Sequence, residues 1–282
     1  MQILHTVEEL RAWSRNMRCS GTGLIGLVPT MGALHAGHAS LVRAAAQQCP
    51  GRVAVSIFVN PTQFGPNEDF ARYPRTFAAD CEIAEREGAT VIFAPSVEEM
   101  YPAGAATFVE VGGLSDRLDG KSRPGHFRGV ATVVAKLLIA AEPELAFFGQ
   151  KDAAQVAVLR KLVADLRLGT ELVVCPIVRE PDGLALSSRN IYLSTEERKQ
   201  ALVLSRSIKC IERMVNKGER RSEVLIEAAG RVFAEEPAVR VDYVELVNWE
   251  TLLPVKAVVP GTLLAVAGWV GNTRLIDNTI IQ

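Results

Sequence analysis

Short apolar runs alternate with amphipathic segments over the first 178 residues of the chain. The apolar runs predict strands at residues 24–28, 53–60, 90–94, 145–148 and 171–178. Apolar residues recur at helical spacing over residues 38–49, 76–88, 129–141 and 152–168. Alternating strands and helices predict a parallel sheet covered by helices, and a nearly continuous apolar run such as VAVSIFV suits a strand buried on both faces. This part of the chain is therefore predicted to form an α/β domain.

The pattern changes after residue 178. Residues 179–194 are polar and rich in turn-forming residues. Two charged amphipathic helices and then three strands are predicted at residues 195–216, 222–235, 239–247, 263–270 and 274–281. A helix pair followed by short strands indicates a smaller α+β unit. We therefore expect two domains, residues 1–178 and residues 179–282.

Composition and charge narrow the class of protein. Of 282 residues, 48% are hydrophobic and 22% are charged, and the net charge is −1, so an obligate nucleic-acid or anionic-membrane partner is not indicated. No apolar run approaches the roughly 20 residues that span a bilayer. The N-terminus predicts a helix from near Thr6 rather than a signal peptide. Five scattered cysteines form no CxxC pair and leave an odd count, as expected of reduced thiols in the cytoplasm.

Two histidines follow the first predicted strand at the point where a helix should begin. His35 and His38 are separated by three positions, with Gly37 between them. A phosphate there would meet two imidazoles and unpaired backbone N–H groups at the positive end of a helix. Gly37 has no side chain, so backbone and ligand can approach closely. The alternative is a pair of structural core histidines, but the spacing favours a nucleotide-phosphate site.

The next strand is also followed by polar groups. Asn60 and Gln63 offer neutral hydrogen-bonding amides, which suit a small polyhydroxy acid better than a second phosphate. Because ligands bind beyond the carboxyl ends of parallel strands, this loop and His35 should line one crevice. Asp80 lies in a predicted helix and is a candidate for holding Mg²⁺ on a phosphate, with a surface carboxylate as the alternative.

Three further segments carry cations. Lys151 lies where a strand meets a helix, as expected of a phosphate ligand or of a solvated helix N-terminus. Residues 187–189 place two hydroxyls and a guanidinium in the loop between the expected domains, where clefts form. Residues 121–128 contain four potential cations around a Pro-Gly turn, either a solvated face or an anion-steering rim. Arg123 in this run is predicted as a substrate contact, together with Asn60.

These segments occur together in one family. The chain is similar to the pantoate–β-alanine ligases over residues 27–190, with weaker similarity continuing to residue 278. The shared motifs are PTMGALHAGH, VSIFVNPTQF, YPRT, RPGHFRGV, FFGQKD and DGLALSSRN. The resemblance implies a Rossmann-like domain related to the HIGH-motif nucleotidyltransferases, a smaller C-terminal lid domain and a homodimer. It also implies that pantoate and MgATP form pantoyl adenylate, from which β-alanine displaces AMP to give pantothenate.

The resemblance carries over residue by residue. The implied ATP contacts are Met31, Gly32, Ala33, Leu34, His35, Ala36, Gly37, His38, Gly149, Gln150, Lys151, Asp152, Val178, Leu186, Ser187, Ser188 and Arg189. His38 matches the histidine assigned to catalysis, and we expect His35 and Lys151 to act with it on the phosphate oxygens. Gln63 and Gln155 match the pair that holds pantoate. Asp80 matches an acidic position near the metal.

Some positions depart from the family pattern. Ala79 stands where an acidic residue often precedes the matched aspartate, Ala154 replaces a frequent glutamine, and Gln150 stands where glutamate is common. Two competing interpretations remain. A nucleotidyltransferase would move a nucleotide onto a phosphate or alcohol, which the neutral amides of Asn60 and Gln63 argue against. A silent nucleotide-binding protein would bind ATP without turnover, which the intact histidines and Lys151 argue against.

Overall fold

The computed structural model describes residues 1–66 and 68–282. The chain divides into two compact units, the first formed by Met1–Gly149 with Val158–Pro176 and the second by Gln150–Ala157 with Ile177–Gln282. This division lies close to the boundary expected after residue 178 and adds residues 150–157 to the second unit. Separate roles for two domains stay a prediction.

The first unit is an α/β structure. Its strands are β1 (Gln2–Leu4), β2 (Gly26–Thr30), β3 (Val53–Ile57), β4 (Val91–Phe93), β5 (Leu145–Gly149) and β6 (Glu171–Cys175). Its helices are α1 (Val7–Cys19), α2 (Ala36–Gln48), α3 (Phe77–Arg86), α4 (Val97–Met100), α5 (Asp119–Ser122) and α6 (His126–Ala141). Helix α7 (Ala153–Asp165) follows β5 in the chain. The predicted alternation of strands and helices is confirmed.

In the described part of the chain, these six strands form one sheet in the order β1-β4-β3-β2-β5-β6. Every pairing in it is parallel. The strand order reverses between β2 and β5, as in doubly wound folds. The pattern missed β1, because a three-residue strand is too short to show periodicity. The segment after Thr6 is a helix as predicted, with Thr6 as its N-cap.

Helix α2 packs on the centre of this sheet. Val42 and Ala45 of α2, Val28 of β2 and Val55 of β3 are fully buried members of one apolar cluster. At their carboxyl ends β2 and β3 pair with each other, with Thr30 opposite Ile57. The connections that leave these two ends carry the first group of candidate site residues.

The second unit is α+β, as predicted. It contains helices α8 (Thr195–Asn216) and α9 (Ser222–Ala234) and strands β7 (Val239–Asn248), β8 (Thr262–Val270) and β9 (Thr273–Ile280). The strands form an antiparallel sheet in the order β7-β8-β9. Apolar residues of both helices and of β8, among them Leu204, Leu225 and Leu264, form its core. Ser194 and Glu197 form a capping box that begins α8 where the sequence predicts.

Candidate active site

The connection from β2 to α2 places both histidines at the N-terminus of a helix. His35 is the N-cap of α2, and its ring Nδ1 accepts from the N–H of Gly37 at 3.1 Å. His38 lies in the first turn, and its Nδ1 accepts from the N–H of His35 at 3.3 Å. The two ring centroids are 4.2 Å apart. Because both Nδ1 atoms accept, each neutral ring carries its proton on Nε2.

This geometry corrects one detail of the sequence interpretation. Unpaired backbone N–H groups are expected at this helix end, but two of those present, on His35 and Gly37, each donate to an imidazole nitrogen. The rings therefore cap the helix themselves, and each neutral ring has its N–H donor at Nε2. The histidine pair is thereby held in one arrangement relative to the helix.

The turn of residues 32–34, which leads into His35 and is called the histidine turn below, has an unusual backbone. Gly32 and Ala33 have φ values of 81° and 50°, a region that residues other than glycine rarely adopt. Asp80 holds this turn: its carboxylate accepts from the N–H groups of Ala33 at 3.0 Å and Leu34 at 2.8 Å. A Cβ on Gly32 would lie 2.9 Å from Asp80 Oδ2, so the position requires glycine.

Asp80 is 1% exposed and accepts a third hydrogen bond, from Thr76 Oγ1 at 3.0 Å. A carboxylate with three donors around it has little capacity left for a metal ion. No group of three or more His, Cys, Asp or Glu side chains that could hold a metal is present in residues 1–66 and 68–282. The assignment of Asp80 to a metal stays a prediction, and its hydrogen bonds favour holding the turn instead.

The connection after β3 is organised around a buried asparagine. Asn60 is 1% exposed; its Nδ2 donates to Gln63 Oε1 at 3.0 Å and to the carbonyl of Gly129 at 3.2 Å. Its Oδ1 accepts from the hydroxyls of Thr62 at 2.9 Å and Tyr101 at 2.8 Å. The Asn60 side chain thus joins its own loop to α6 and to Tyr101 and fixes the shape of the loop, and its contact with substrate stays a prediction.

Gln63 joins the two connections. Its Nε2 contacts Met31 Sδ at 3.1 Å, so the segment after β2 and the segment after β3 meet at these side chains. Met31 and Gln63 therefore lie together beyond these two strands, and a ligand-binding crevice at this edge stays a prediction. Helix α6 contacts this loop closely, because a Cβ on Gly129 would lie 2.3 Å from the carbonyl oxygen of Thr62.

The basic run at residues 121–128 is not a uniform cationic rim. Arg123 pairs with both oxygens of Glu68, at 2.7 and 2.6 Å, and its Nη1 lies 3.1 Å from His126 Nε2. Burial, and then the nearby charge of Arg123, lower the pKa of His126 to about 4, so this ring is neutral at neutral pH. Arg128 stacks on the ring of Phe108 at 4.0 Å. The run therefore brings fewer available cations than the sequence indicates.

Except for Gly149, which ends a segment of the first unit, the remaining predicted contacts lie in the second unit. A 3₁₀ turn before α7 is formed by Gln150, Lys151 and Asp152 and is called the lysine turn below. In it, Lys151 Nζ lies 3.6 Å from Asp152 Oδ1. Side chains of Lys151 and Asp152 are 21% and 48% exposed, so the ammonium group is partly sheltered. Gln155 is half-buried in the first turns of α7. Gly149, the last residue of β5, pairs with Cys175 of β6.

Residues 178–192 form a small hairpin followed by a 3₁₀ turn. Leu186 N–H donates to the carbonyl of Val178 at 3.0 Å, and Arg179 bridges to Ala185. The turn Ser188–Tyr192 begins at Ser187, whose Oγ accepts from Arg189 N–H at 3.2 Å. The residues of the predicted clamp, Ser187–Arg189, therefore lie at the start of one turn, which follows a hairpin that contains Val178 and Leu186.

Sequence reasoning missed several residues that hold these segments. Thr76 supports Asp80, Tyr101 supports Asn60, and Asp277 and Asn278 of β9 contact Arg179 and the turn that contains Lys151. Two adjacent polar residues inside an apolar strand candidate were the available signal for Asp277 and Asn278.

No helix in residues 1–66 and 68–282 has the length and apolar character needed to cross a membrane.

Comparisons with known proteins agree with the motifs. The family model for pantoate-beta-alanine ligase matches residues 2–280. A pantothenate synthetase of Acidobacterium capsulatum is 60% identical over 291 aligned residues, covering 100% of this chain and 97% of the relative. One of Thermotoga petrophila is 54% identical over 281 residues, covering 100% of both chains.

Solved structures give the same result for the fold. A crystal structure of pantothenate synthetase from Thermus thermophilus has a TM-score of 0.92 and 46% identity, with 99% of each chain covered. A pantoate-beta-alanine ligase from Francisella tularensis, complexed with beta-gamma ATP and β-alanine, has a TM-score of 0.75 and 34% identity, covering 99% of this chain and 97% of that one. With its histidine pair, Gln63 loop and lysine turn in the matching segments, the chain belongs to the pantoate–β-alanine ligase family.

Proposed function

We propose that the chain condenses pantoate with β-alanine at the expense of ATP, giving pantothenate, AMP and pyrophosphate. The observation that carries this proposal is the family match over residues 2–280, in a chain that keeps His35 and His38 paired at the start of α2. The reaction belongs to the AMP-forming carbon–nitrogen ligases and supplies a coenzyme A precursor.

The first step is adenylation of pantoate. A carboxylate oxygen of pantoate attacks the α-phosphorus of ATP, and the bond to the pyrophosphate oxygen breaks as the new O–P bond forms. Negative charge accumulates on the phosphate oxygens in this transition state, so preorganised donors stabilise it most. His35 and His38 supply Nε2–H groups, and Lys151 supplies an ammonium group. A covalent protein intermediate is not needed.

The remaining proposed ATP contacts lie on short segments that connect helices and strands. The segment Met31–His38 offers the first turn of α2 and its supporting turn, and Gly149–Asp152 offers the 3₁₀ turn with Lys151. Val178 and Leu186 on the hairpin and Ser187–Arg189 on the following turn add apolar and hydroxyl contacts and a guanidinium. Short glycine-containing connections of this kind allow main chain to approach phosphates closely.

Pantoate is held by neutral amides. Gln63 and Gln155 are the proposed direct contacts, because amides can bind hydroxyl and carboxylate oxygens without burying a second charge beside the phosphates. Asn60 acts behind Gln63 by accepting from Tyr101 and donating to Gln63 Oε1. Arg123, paired with Glu68, supports the same loop by donating to the carbonyl of Gln63 at 3.4 Å.

The second step transfers the acyl group. The amine nitrogen of β-alanine attacks the acyl carbon of pantoyl adenylate, the bond to AMP breaks, and the amine loses a proton. Water would compete for the same carbon, so the intermediate has to be shielded. We assign this task to residues 179–282 acting as a lid that carries Ser187–Arg189. Limited proteolysis within residues 179–194 should slow when ATP and pantoate are both present, and an unchanged rate would contradict lid closure.

Mg²⁺ enters this scheme bound to ATP, where it neutralises the leaving pyrophosphate. The described residues fit such a substrate-borne ion better than a resident metal, because the Asp80 carboxylate already accepts three hydrogen bonds. We also propose a cytoplasmic enzyme, in keeping with five free cysteines, and a homodimer, which rests on the family resemblance. Light scattering on the purified protein tests the homodimer.

The adenylation step is tested by ATP–pyrophosphate isotope exchange with pantoate present and β-alanine absent. Exchange that depends on pantoate is the expected result, and omission of pantoate is the control. A folded protein that binds ATP but shows no exchange would contradict the proposal and favour a silent nucleotide-binding protein. Exchange supported by a phosphate or alcohol acceptor instead of pantoate would indicate a nucleotidyltransferase.

A further inference from the structure

Strand β9 contains two adjacent polar residues, Asp277 and Asn278, that are each only 3% exposed. Burying a carboxylate or an amide costs free energy unless hydrogen bonds replace those to water. Sheet hydrogen bonds involve the main chain, so these side chains need other partners. Their partners are the two segments of the second unit that carry the proposed ATP contacts.

Asn278 holds the lysine turn. Its Nδ2 donates to the carbonyl of Gln150 at 3.0 Å and to the carbonyl of Lys151 at 2.8 Å. Its Oδ1 accepts from Gln150 Nε2 at 3.2 Å. One amide thus fixes two consecutive carbonyls and one side chain of the 3₁₀ turn, which limits rotation of the backbone at Lys151.

Asp277 holds the hairpin. Arg179 donates to both carboxylate oxygens of Asp277, at 2.7 and 2.9 Å, and its Nη1 also donates to the carbonyl of Gly183 at 3.1 Å. A bidentate pair of this kind fixes direction as well as distance. The hairpin that contains Val178 and Leu186 is therefore attached to β9 through Arg179, whose guanidinium also holds the carbonyl of Gly183 at the hairpin tip.

The two contacts are coupled through the strand. The main-chain N–H of Asn278 donates to Asp277 Oδ1 at 2.7 Å, so the carboxylate that binds Arg179 also orients the backbone that carries the Asn278 amide. We propose that Asp277 and Asn278 are a positioning pair that sets the lysine turn and the hairpin relative to each other for the adenylation of pantoate by ATP. This inference rests on the proposed function for the identity of the reaction.

Two nearly isosteric substitutions test the pair. Asn278→Asp keeps the shape but removes both amide donors and places carboxylate oxygens against two carbonyls. Asp277→Asn keeps the shape but removes the charge and one acceptor for Arg179. The matched control is Thr279→Val, which removes a hydrogen bond of 2.8 Å to Glu212 from the next residue of the same strand. If Asn278→Asp does not fold, the uncharged Asn278→Ser gives the same information.

The measured quantities are the rate of pantoate-dependent exchange per folded molecule, the KM for ATP and the dissociation constant for ATP. Each test variant should lose about 10–100-fold in kcat/KM for ATP, since small misplacement of a reacting group has effects of this size. Thr279→Val should stay within about twofold of the wild type. The double variant should lose less than the product of the two single losses, because the residues act as one unit.

The outcomes separate this inference from the proposed function. Wild-type exchange together with unchanged kcat/KM in folded Asp277 and Asn278 variants would overturn the positioning pair and leave the proposed function intact. A loss explained entirely by the unfolded fraction would also overturn it. Absence of exchange in the wild type would overturn the proposed function, and calorimetry would still test the pair: weaker ATP binding by both variants but not by Thr279→Val is then the expected result.

Discussion

His126 and Gln63 are joined by a hydrogen bond of 2.8 Å between the ring Nδ1 and the main-chain oxygen of Gln63. An arginine can only donate, so the Nη1 of Arg123, 3.1 Å from the other ring nitrogen, requires an acceptor at Nε2. The proton of the neutral ring is therefore on Nδ1, which donates to Gln63. The loop proposed to hold pantoate thus depends on a histidine that stays uncharged.

The low pKa of His126 predicts acid-sensitive stability. The pKa is about 4 in the folded protein because burial and the charge of Arg123 outweigh the opposing effects of the Gln63 hydrogen bond and the charges of Asp119 and Glu68. In an unfolded chain the pKa is about 6.5. Between these values the unfolded state binds a proton that the folded state does not, so stability rises with pH. Acidification from pH 7.5 to pH 5 should therefore lower the free energy of unfolding by about 1–2 kcal/mol through this histidine.

Urea unfolding of the wild type and His126→Gln at both pH values measures this effect. The variant should lose less free energy of unfolding than the wild type on acidification. His5→Gln is the control, because His5 is exposed and its replacement leaves His126 in place. Equal pH dependence in the wild type and His126→Gln would contradict the neutral ring.

The fold was largely predictable because its signals are local. Apolar runs and helical spacing identify β2 to β6 and the two long helices of the second unit within a few residues of their ends. Strand β1 was missed, since three residues at a sheet edge contain no period. The site was predictable only in its segments: His35, Gln63 and Lys151 follow strands, which places them at the carboxyl ends.

The supporting contacts were not predictable, because they join residues far apart in sequence. Asp80 contacts Leu34 across 46 positions, and Asn278 contacts Lys151 across 127. The neutral state of His126 depends on burial and on Arg123, neither of which a sequence pattern shows. The sequence likewise shows that Asp80 is a carboxylate, which allows a metal site, but it does not show the three hydrogen-bond donors around it.

Asp80→Asn should impair adenylation without changing the metal requirement. In either orientation the amide nitrogen would face a main-chain N–H, that of Ala33 or that of Leu34, so the histidine turn would shift and the histidines with it. We expect a loss of up to about 100-fold in the pantoate-dependent exchange rate, the scale of a small misplacement of reacting groups. The half-saturating Mg²⁺ concentration should stay the same.

Thr76→Val is the matched control for Asp80. It removes one hydrogen bond to the carboxylate but leaves both main-chain donors, and Thr76 makes no side-chain capping bond to α3. Its loss in exchange rate should be clearly smaller than that of Asp80→Asn. A large rise in the Mg²⁺ requirement of Asp80→Asn would show instead that this carboxylate binds the metal.

His38→Ala should lower the adenylation rate by about 10²–10³-fold, the effect of removing one donor from a developing oxyanion. Because the side chain also accepts from His35 N–H, circular dichroism has to confirm that α2 remains folded. His5→Ala serves as the control for loss of a histidine outside the site. A folded His38→Ala protein with a near-normal exchange rate would exclude a direct role in adenylation.

Gly129 and Gly230 provide a matched pair of glycines inside helices. A Cβ on Gly129 of α6 would lie 2.3 Å from Thr62 O and 2.6 Å from Gln63 N, whereas a Cβ on Gly230 of α9 would meet nothing within 4 Å. Gly230→Ala should stabilise the protein by about 0.5–1 kcal/mol, since alanine favours a helix over glycine. Gly129→Ala gains the same propensity but displaces the loop that carries Gln63.

The Gly129→Ala variant should therefore have a lower free energy of unfolding than the wild type, by about 1–3 kcal/mol, as expected when a packed core is overfilled. It should also raise the KM for pantoate more than the KM for ATP, because the displaced loop holds Gln63 and not the lysine turn. Urea unfolding and exchange kinetics measure both effects, with Gly230→Ala as the reference. Stabilisation of the protein by both substitutions would mean that α6 and the Asn60–Gln63 loop are farther apart than the structure places them.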